Sequence, residues 1–521
     1  MRKQNLFMVR ILIALLVCAL TSVCWAQDVT PSESLSLMQH NGERTIFTFN
    51  YPSINAQGNE TVLSAALIAW TPTECQEDDC IESVHIYCHA TITSDSQRPT
   101  TTSSPVDRSA LMAMIGRQYD ASGQSDYVSR CIIIAPDYEG YGATKTSPHP
   151  YLSQKITARQ VTDAVTYGLQ LYRKAIADGS VLDMKSDWRS FAYGYSQGGA
   201  VALATQRHIE EEELADELHF KGSICGDGPY DLIATLRYYL EDNGTSYGVN
   251  TTHQQGFCTL PVVMPLILQG MMDTHPAMKD YTISDLLSQQ MLDTGIIDWI
   301  ESKTYSTDDI AKKWYQQLQE GIDIENRHYT PAQMADLFLA PKKDVVWGRL
   351  ETMLTAEVYN YLSQPANFDE VPNEPINVAQ ALHSALVDNS LTTGWSPIHR
   401  IQFLHSRADM VVPYSNYLSM SEVLPEEDLY RIDDTFSSSD HVDAGVRFFM
   451  NLALLKTFGT YFDWLCEQPA PTGINAIDDW TLFNSQFEND AWYDLSGRRL
   501  TAKPTNKGIY IYKGKKFVNS K

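Results

Sequence analysis

The first 230 residues alternate between runs typical of β-strands and runs with helical periodicity. The clearest strand is Arg130-Cys-Ile-Ile-Ile-Ala-Pro-Asp137, whose continuous β-branched residues indicate burial on both faces. Such alternation favours an α/β fold, in which a mostly parallel sheet carries helices on both faces. The predicted strands are 45–51, 61–70, 83–90, 130–137, 189–193 and a run from 221, and the predicted helices are 109–117, 155–177 and 200–207.

The pattern changes between residues 231 and 395, where helical periodicity continues without a convincing strand. Strand-like runs resume at 401–405 and 429–433, before a helix over 445–458. We therefore predict that a helical cap (231–395) interrupts a sheet domain formed by 27–230 and 396–468. The predicted cap helices begin at 232, 283, 310, 332, 346 and 378. The methionines of the cap could line an adaptable apolar pocket, but for most of them we favour a place in the cap's own core. They are Met264, Met271, Met272, Met278 and Met291.

Both ends of the chain carry segments that we place outside this domain. Basic residues precede the apolar stretch 11–20, and a small-x-small site ends at Ala26, which predicts a signal peptide over 1–26. The alternative of a lipoprotein acylated at Cys24 is less favoured, because Val23 is large for the preceding position. Residues 469–521 are interpreted as a linker and a small β-module with strands in 492–500 and 507–516. We therefore expect a secreted or surface protein.

Charge and cysteine content exclude some classes of function. The net charge is −25, from 39 basic and 64 acidic residues, so the surface repels nucleic acid and anionic membranes. Of the nine cysteines, Cys75 and Cys80 lie in one polar loop, where an exported protein can form a disulfide. Neither C-x-x-C nor H-E-x-x-H occurs, and we expect no metal and no cofactor.

The most informative motif is Gly194-Tyr195-Ser196-Gln197-Gly198, which matches G-x-S-x-G. In this pattern a serine stands on a tight strand-to-helix turn that exposes its hydroxyl, and small flanking residues avoid backbone clashes. A strand-like run precedes the motif and a helical run follows it, which favours a nucleophile over the alternative of an incidental serine in a glycine-rich turn.

A serine nucleophile needs a histidine base and a carboxylate that orients the histidine. In proteins with this turn the three residues follow in the order serine, acid, histidine, and here Ser196, Asp409 and His441 have that order. Asp409 follows a strand and His441 follows the last short strand. Alternatives remain: Asp227 or Asp231 as the acid, and His405, which we interpret as a packed strand residue, as the base.

Attack on an acyl group also requires donors for the developing oxyanion. One expected donor is the backbone N–H of Gln197, and the second comes from the loop after the third predicted strand. That loop begins His89-Ala90-Thr91, so Ala90 or Thr91 is predicted to supply the N–H. Asp137, which opens a glycine-rich loop, is interpreted as structural.

Together these segments resemble the α/β-hydrolase superfamily, and within it the secretory-lipase-like ester hydrolases. The resemblance covers about residues 45–466 and rests on His89-Ala-Thr, Pro136-Asp-Tyr-Glu-Gly140, Gly194-Tyr-Ser-Gln-Gly-Gly199, Gly394-Trp-Ser-Pro397 and Asp409-Met-Val-Val-Pro-Tyr414. The family usually has glycine where Ala90 stands. The C-terminal segments Tyr493-Asp-Leu-Ser-Gly-Arg-Arg499 and Gly508-Ile-Tyr-Ile511 resemble type IX sorting signals, which implies a bacterial export machinery as a partner. A β-module without a sorting role stays open as the alternative.

The resemblance implies a secreted serine esterase or lipase that acts on a small-molecule or lipid ester through an acyl-enzyme on Ser196. Two alternatives stay open. A prolyl-oligopeptidase-type peptidase shares the serine motif but usually has a large domain before it, and fewer than 200 residues precede Ser196 here. A non-catalytic binding protein on the same scaffold has no need for the serine, acid and histidine together.

Overall fold

The computed structural model describes residues 29–101, 106–118, 127–367, 374–424, 427–433, 438–454, 456–467 and, towards the C-terminus, 492–493, 499–500, 503, 508–512 and 515–519. The predicted signal peptide (1–26) and linker (469–473) lie outside the described residues. The chain divides into two compact units, Met1–Cys466 and Glu467–Lys521.

The first unit is built on a nine-stranded sheet. Its strands are β1 Ser36–Asn41, β2 Arg44–Ile54, β3 Glu60–Trp70, β4 Ile81–Cys88, β5 Cys131–Pro136, β6 Met184–Tyr195, β7 Phe220–Gly226, β8 Arg400–Leu404 and β9 Tyr430–Asp433. They lie in the order β1-β2-β3-β5-β4-β6-β7-β8-β9. The neighbouring pairs from β1 to β5 in this order are antiparallel, and those from β5 to β9 are parallel. The predicted mostly parallel α/β sheet is therefore confirmed.

The strand that the sequence predicts most clearly, β5, and the strand that it does not predict, β1, differ in burial. Every residue of β5 is buried, as expected for a strand with covered faces. In contrast, β1 is exposed at five of its six positions and pairs only with β2 at the edge of the sheet. Without a buried face, β1 has no hydrophobic alternation, and the prediction omitted it.

The register of the parallel strands positions the site. Cys88 of β4 pairs with Gly194 of β6, Tyr195 of β6 pairs with Gly226 of β7, and Gly226 pairs with Leu404 of β8. The carboxyl ends of four strands therefore meet at one edge, where ligands bind in open α/β sheets. The segments that follow these strands carry all the predicted site residues except His441, which follows β9.

Helices cover the sheet and fill the region between residues 231 and 395. Those of the sheet domain are α1 Val106–Met114, α2 Gln154–Ala177, α3 Gln197–Glu211, α14 Ser415–Val423, α15 His441–Leu454 and α16 Lys456–Cys466. Those between them are α4 Leu232–Glu241, α5 Val263–Thr274, α6 Ile283–Leu286, α7 Gln289–Asp293, α8 Ile296–Glu301, α9 Thr307–Glu320, α10 Pro331–Leu337, α11 Leu350–Met353, α12 Ala356–Leu362 and α13 Val378–Asp388. They share a second hydrophobic cluster, separate from the one around the sheet, that runs from Leu232 to Leu386 and includes Tyr151 and Leu152. We call residues 231–395 the cap.

The cap also contains short strands, so the prediction of a purely helical region was wrong. Phe338–Lys342 pairs antiparallel with Val345–Arg349, which also pairs with Phe257–Cys258. Ile322–Ile324 and Arg327–Tyr329 form a second hairpin. Asp344 has a φ of 61°, so a tight turn reverses the chain there, and the following β-branched and aromatic residues extend as a strand instead of the predicted helix from 346.

The possible Cys75–Cys80 disulfide is not formed. All seven cysteines among the described residues are free thiols, and Cys75 and Cys80 are among them. The loop between the two cysteines is closed by hydrogen bonds: Asp79 N donates to Gln76 O at 3.1 Å, and Gln76 N donates to Asp79 Oδ2 at 2.9 Å. Arg130 pairs with Asp79 at 3.3 Å and fastens this turn to the sheet.

The second unit contains a small antiparallel sheet, in line with the predicted β-module. Its strands pair in the order Arg499–Leu500, Trp492–Tyr493, Gly508–Tyr512 and Lys515–Asn519. Across the part of the chain that the structure describes, no helix combines the length and apolar character that a membrane crossing requires.

Candidate active site

Ser196 occupies a strained turn between β6 and α3. Its φ and ψ are 57° and −124°, a conformation that L-residues rarely adopt outside such turns. The turn also needs glycine, because a Cβ on Gly198 would lie 2.1 Å from the carbonyl oxygen of Cys88, and one on Gly194 would lie 2.4 Å from the same atom. The predicted strand–turn–helix context of the G-x-S-x-G motif is therefore present.

The three residues predicted to act together form one hydrogen-bonded chain. His441 Nε2 lies 3.0 Å from Ser196 Oγ, and His441 Nδ1 lies 2.5 Å from Asp409 Oδ2. The other carboxylate oxygen of Asp409 accepts the backbone N–H groups of Val411 and Val412 at 2.7 and 2.8 Å. In neutral His441 the Nδ1–H donates to Asp409, which leaves Nε2 free to accept the hydroxyl proton of Ser196.

The electrostatic surroundings favour the protonated form of His441. Burial by itself would lower its pKa, but the Asp409 carboxylate, together with Asp227 and Asp440, raises the pKa above the ordinary 6.5. A base that can hold a proton beside a reacting serine is the requirement for activating its hydroxyl.

The alternative acids and base have other roles. Asp227 Oδ2 accepts the hydroxyl of Tyr195 at 2.7 Å, and Asp227 Oδ1 accepts the N–H of Ser406 at 2.7 Å. Asp231 caps α4 by accepting two backbone N–H groups, each at 3.0 Å. His405 is buried as predicted, and its Nε2 lies 2.9 Å from the carbonyl oxygen of Val412.

Asp227, Asp409 and His441 together have the composition of a metal site, since one ligand atom from each lies within 4.8 Å of the others. All four oxygens of the two carboxylates, however, already contact hydrogen-bonding groups of the protein. Of the two carboxylates, Asp409 orients the His441 ring, whereas Asp227 bonds to Tyr195 and Ser406.

The loop predicted to supply oxyanion donors lies beside the nucleophile turn. A Cβ on Gly198 would approach the carbonyl oxygens of Cys88 and His89 at 2.1 and 2.8 Å, so the end of β4 packs on the start of α3. Ala90 and Thr91 follow directly, and Thr91 Oγ1 lies 2.8 Å from the hydroxyl oxygen of Tyr151. The structure thus brings together the segments of all three predicted donors.

Gln197 is held through its side chain. Its amide Nε2 donates to His149 Nε2 at 2.9 Å, and His149 Nδ1 donates to the carbonyl oxygen of Glu139 at 2.7 Å. Burial, and to a smaller extent the charge of Lys303, lowers the pKa of His149 to about 3. The ring is therefore neutral, which matches the acceptor role of its Nε2.

Asp137 is structural, as interpreted from the sequence. It is buried and accepts hydrogen bonds from Ser64 Oγ at 2.6 Å and from Thr100 N and Oγ1 at 2.9 and 2.6 Å. Burial, although opposed by these donors, raises its pKa to about 6. Asp137 thereby joins the end of β5 to the segment after β4.

An apolar pocket opens beside Ser196, and the sequence did not define it. Its volume is about 730 Å³, including the part open to solvent. Most of its lining comes from the cap, and no charged side chain is among the described residues that form it. The lining consists of Tyr151, Leu152, Ser196, Pro229, Leu232, Thr235, Leu236, Tyr239, Val263, Met264, Ile267, Leu268, Leu354, Leu362, Leu382, Leu386, Val411 and Val412.

The cap methionines divide between the two predicted roles, pocket lining and cap core. Met264 lines the pocket, whereas Met271, Met278 and Met291 are buried in the cap's own cluster and Met272 packs against it. Most of these methionines are therefore core residues.

Comparison with known proteins identifies the fold. No protein-family model and no curated protein matches the sequence. Among solved structures, the chain is similar to the rice cell wall degrading esterase LipA from Xanthomonas oryzae, with a TM-score of 0.55 and 17% identity over 84% of this chain and 99% of that one. It is also similar to a putative hydrolase from Legionella pneumophila, with a TM-score of 0.53 and 15% identity over 84% and 92% of the two chains. At these identities the likeness establishes the fold, and the first unit has the architecture of an α/β-hydrolase.

Proposed function

We propose that the protein is a serine hydrolase of carboxylic esters that acts through an acyl-enzyme on Ser196. The observation that carries the proposal is the hydrogen-bonded chain from Ser196 through His441 to Asp409, which begins at the wall of an apolar pocket. The fold neighbour LipA is named as an esterase, which supports an ester as the substrate.

In the proposed reaction, Ser196 Oγ attacks the ester carbonyl carbon while His441 Nε2 takes the hydroxyl proton. Asp409 keeps the ring oriented and stabilises the imidazolium. The backbone N–H of Gln197 and that of Thr91 or Ala90 donate to the oxyanion. Collapse of the tetrahedral intermediate breaks the bond to the alcohol oxygen, which receives the proton from His441. Water then repeats these steps on the acyl-enzyme, releases the carboxylic acid and restores Ser196.

The apolar lining of the pocket supports a proposal for the acyl side of the substrate. An uncharged lining of mainly aliphatic side chains offers an alkyl chain a favourable environment, at about 0.8 kcal/mol for each buried methylene group. A peptide segment would instead bury amide groups without partners, which costs free energy. We therefore propose esters with an apolar acyl chain over peptides.

We further propose that the protein is exported. The features that support this are the N-terminal 1–26 segment and the C-terminal segment that resembles a sorting signal. Removal of residues 469–521 should leave the enzyme inside the cell envelope and leave its ester hydrolysis unchanged. Fractionation with an activity assay of each fraction measures both results, and unaltered export of the truncated protein would contradict the sorting role.

The central test is Ser196→Ala. We expect a loss of about 10⁵- to 10⁶-fold in kcat for an ester such as p-nitrophenyl octanoate, because the nucleophile is absent. Covalent labelling by a fluorophosphonate, followed by mass spectrometry, should also disappear. Ser180→Ala changes a serine in the turn after α2 and serves as the matched control, with labelling and turnover retained. A fully active Ser196→Ala variant would overturn the proposal.

A further inference from the structure

Every residue from Thr91 to Asp95, which we call the oxyanion loop, is fastened by a hydrogen bond. Two of these bonds come from the sheet domain. The hydroxyl of Tyr151 contacts Thr91 Oγ1 at 2.8 Å, and the hydroxyl of Tyr141 donates to the carbonyl oxygen of Ile92 at 2.5 Å.

The next three residues bond to a single segment of the cap, Lys303 to Tyr305. Thr93 Oγ1 donates to Tyr305 O at 2.7 Å, and Ser94 Oγ donates to Thr304 O at 3.2 Å. The backbone N–H of Asp95 donates to Lys303 O at 2.8 Å. The two segments are antiparallel, so residues 93, 94 and 95 bond to residues 305, 304 and 303 in that order.

The cap segment is itself firmly placed. It joins α8 to α9, whose side chains Ile300, Ile310 and Trp314 are buried in the cap cluster. Lys303 is also buried, and its ammonium group lies 5.0 Å from the centre of the Tyr141 ring. Tyr141 therefore contacts the oxyanion loop through its hydroxyl and the cap through its ring.

Oxyanion stabilisation depends on donors that are fixed before the charge develops. A displacement of about 1 Å in such a group can cost 10²-fold in rate. We infer that the cap segment Lys303–Tyr305 positions the oxyanion loop, so that the docked cap is part of the catalytically competent enzyme. This inference rests on the proposed function, and it assigns Thr93 as a positioning residue that does not touch the substrate.

The inference also specifies how substrate is admitted. If the cap lifted away as a whole to expose Ser196, the bonds to Thr93, Ser94 and Asp95 would break and the oxyanion loop would lose its support. Substrate therefore enters the pocket with the cap segment in place. Hydrolysis of a short-chain ester should rise smoothly through its solubility limit, and an abrupt rise there would contradict the inference.

The decisive experiment compares Thr93→Val with Thr93→Ser. Valine has the shape of threonine but cannot donate to Tyr305 O, whereas serine keeps the hydroxyl. We expect kcat to fall about 10- to 100-fold in Thr93→Val with KM within about twofold, and to return to within about threefold of wild type in Thr93→Ser. Affinity for a trifluoromethyl ketone, which forms an oxyanion on Ser196, should fall by the same factor, while affinity for the free carboxylic acid should not change.

Thr162→Val is the matched control, because Thr162 is also buried and donates its hydroxyl to a carbonyl, that of Ala158 within α2. It should keep kcat within about twofold. A folded Thr93→Val variant with wild-type kcat, or a Thr93→Ser variant without rescue, would overturn the inference. Ser94→Ala removes the neighbouring bond to the cap, together with the contacts between Ser94 Oγ and Ser96, and tests the same link if Thr93→Val does not fold. The proposed function is tested separately, because it requires that the wild type turns over the ester and that Ser196→Ala does not. If this holds while the Thr93 variants give either contrary result, only the positioning role of the cap is wrong.

Discussion

The two sides of the candidate site hold their residues by opposite means. On the side of the sheet, Ser196, His441 and Asp409 are fixed by directional hydrogen bonds of 2.5 to 3.0 Å. On the side of the cap, the pocket is lined mainly by aliphatic side chains from several helices, and these side chains make non-directional contacts. A hydrogen bond is lost when a substitution removes its donor or acceptor atom, whereas apolar contacts are shared among many residues, so one apolar side chain can be replaced by another of similar size. We therefore expect substitutions beside the sheet to affect every ester, and substitutions of the aliphatic side chains that line the pocket to change which esters are preferred.

The largest effect expected in this comparison comes from Asp409→Asn. The asparagine amide would present a donor to His441 Nδ1 and favour the wrong tautomer, which should lower kcat by about 10⁴-fold for short and long acyl esters alike. Steady-state kinetics with p-nitrophenyl acetate and p-nitrophenyl decanoate measure this.

Asp227→Asn is the matched control for the choice of acid. The introduced asparagine can still accept the N–H of Ser406, and its amide can donate to the hydroxyl oxygen of Tyr195, whose own hydrogen then goes to the carbonyl oxygen of His441, at 2.6 Å in the structure. Activity should therefore stay within about tenfold of wild type. A reversed order of the two variants would show that Asp227 is the acid.

A smaller and selective effect is expected from Ile267→Trp in the cap. Ile267 lines the pocket and is only partly buried, so the larger ring can enter the pocket without displacing the cap's core. If it displaces three methylene groups of the substrate, at about 0.8 kcal/mol each, kcat/KM for the decanoate falls by about 60-fold. The acetate, which does not reach that far, should change by less than about twofold.

Ile297→Trp provides the control for Ile267→Trp. Ile297 is also a partly buried isoleucine that packs on the cap cluster, but it does not line the pocket. It should leave the ratio of decanoate to acetate turnover unchanged. An equal loss for both esters in Ile267→Trp would contradict the assignment of the pocket to the acyl chain.

The same contrast explains how much the sequence predicts. The β-branched run predicted the buried strand β5, and the order of serine, acid and histidine predicted three residues that lie in one hydrogen-bonded chain. Both signals have strict physical causes. The pocket has no such signal. Met264 and Met271 lie seven residues apart on nearly the same face of α5, yet only Met264 lines the pocket. Helical periodicity records that both are apolar and does not record what packs opposite them.

The sequence also carries no signal for some long-range contacts. The bonds between the oxyanion loop and Lys303–Tyr305 join residues more than 200 positions apart, and the acceptors are backbone carbonyls, which every residue has. No pattern of side chains could indicate them. The hairpin at 338–349 was missed for a related reason, since Val345-Val-Trp347 fits an apolar helix face as well as a strand.

The smallest effect tests whether the polar side of the site extends to the surface. His441 accepts a proton only when it is neutral, so kcat/KM should be full above its pKa and fall about tenfold for each pH unit below it. Burial opposes the charged ring, but the carboxylates of Asp409, Asp227 and Asp440 outweigh it and raise the pKa, so the acid limb should lie above pH 6.5.

Asp440 is the exposed member of these carboxylates, and its Oδ1 accepts the N–H of Asp443 at 2.9 Å at the start of α15. Asp440→Asn keeps this acceptor and removes only the charge, so the acid limb should move to lower pH, with the plateau rate unchanged. Salt screens an exposed charge, so an increase from about 0.05 to about 0.5 M NaCl should move the acid limb of the wild type to lower pH. The same increase should move the acid limb of Asp440→Asn less. If neither the substitution nor the salt changes the pH of the acid limb, only the buried carboxylates control the pKa of His441. The polar side of the site would then not extend to the protein surface.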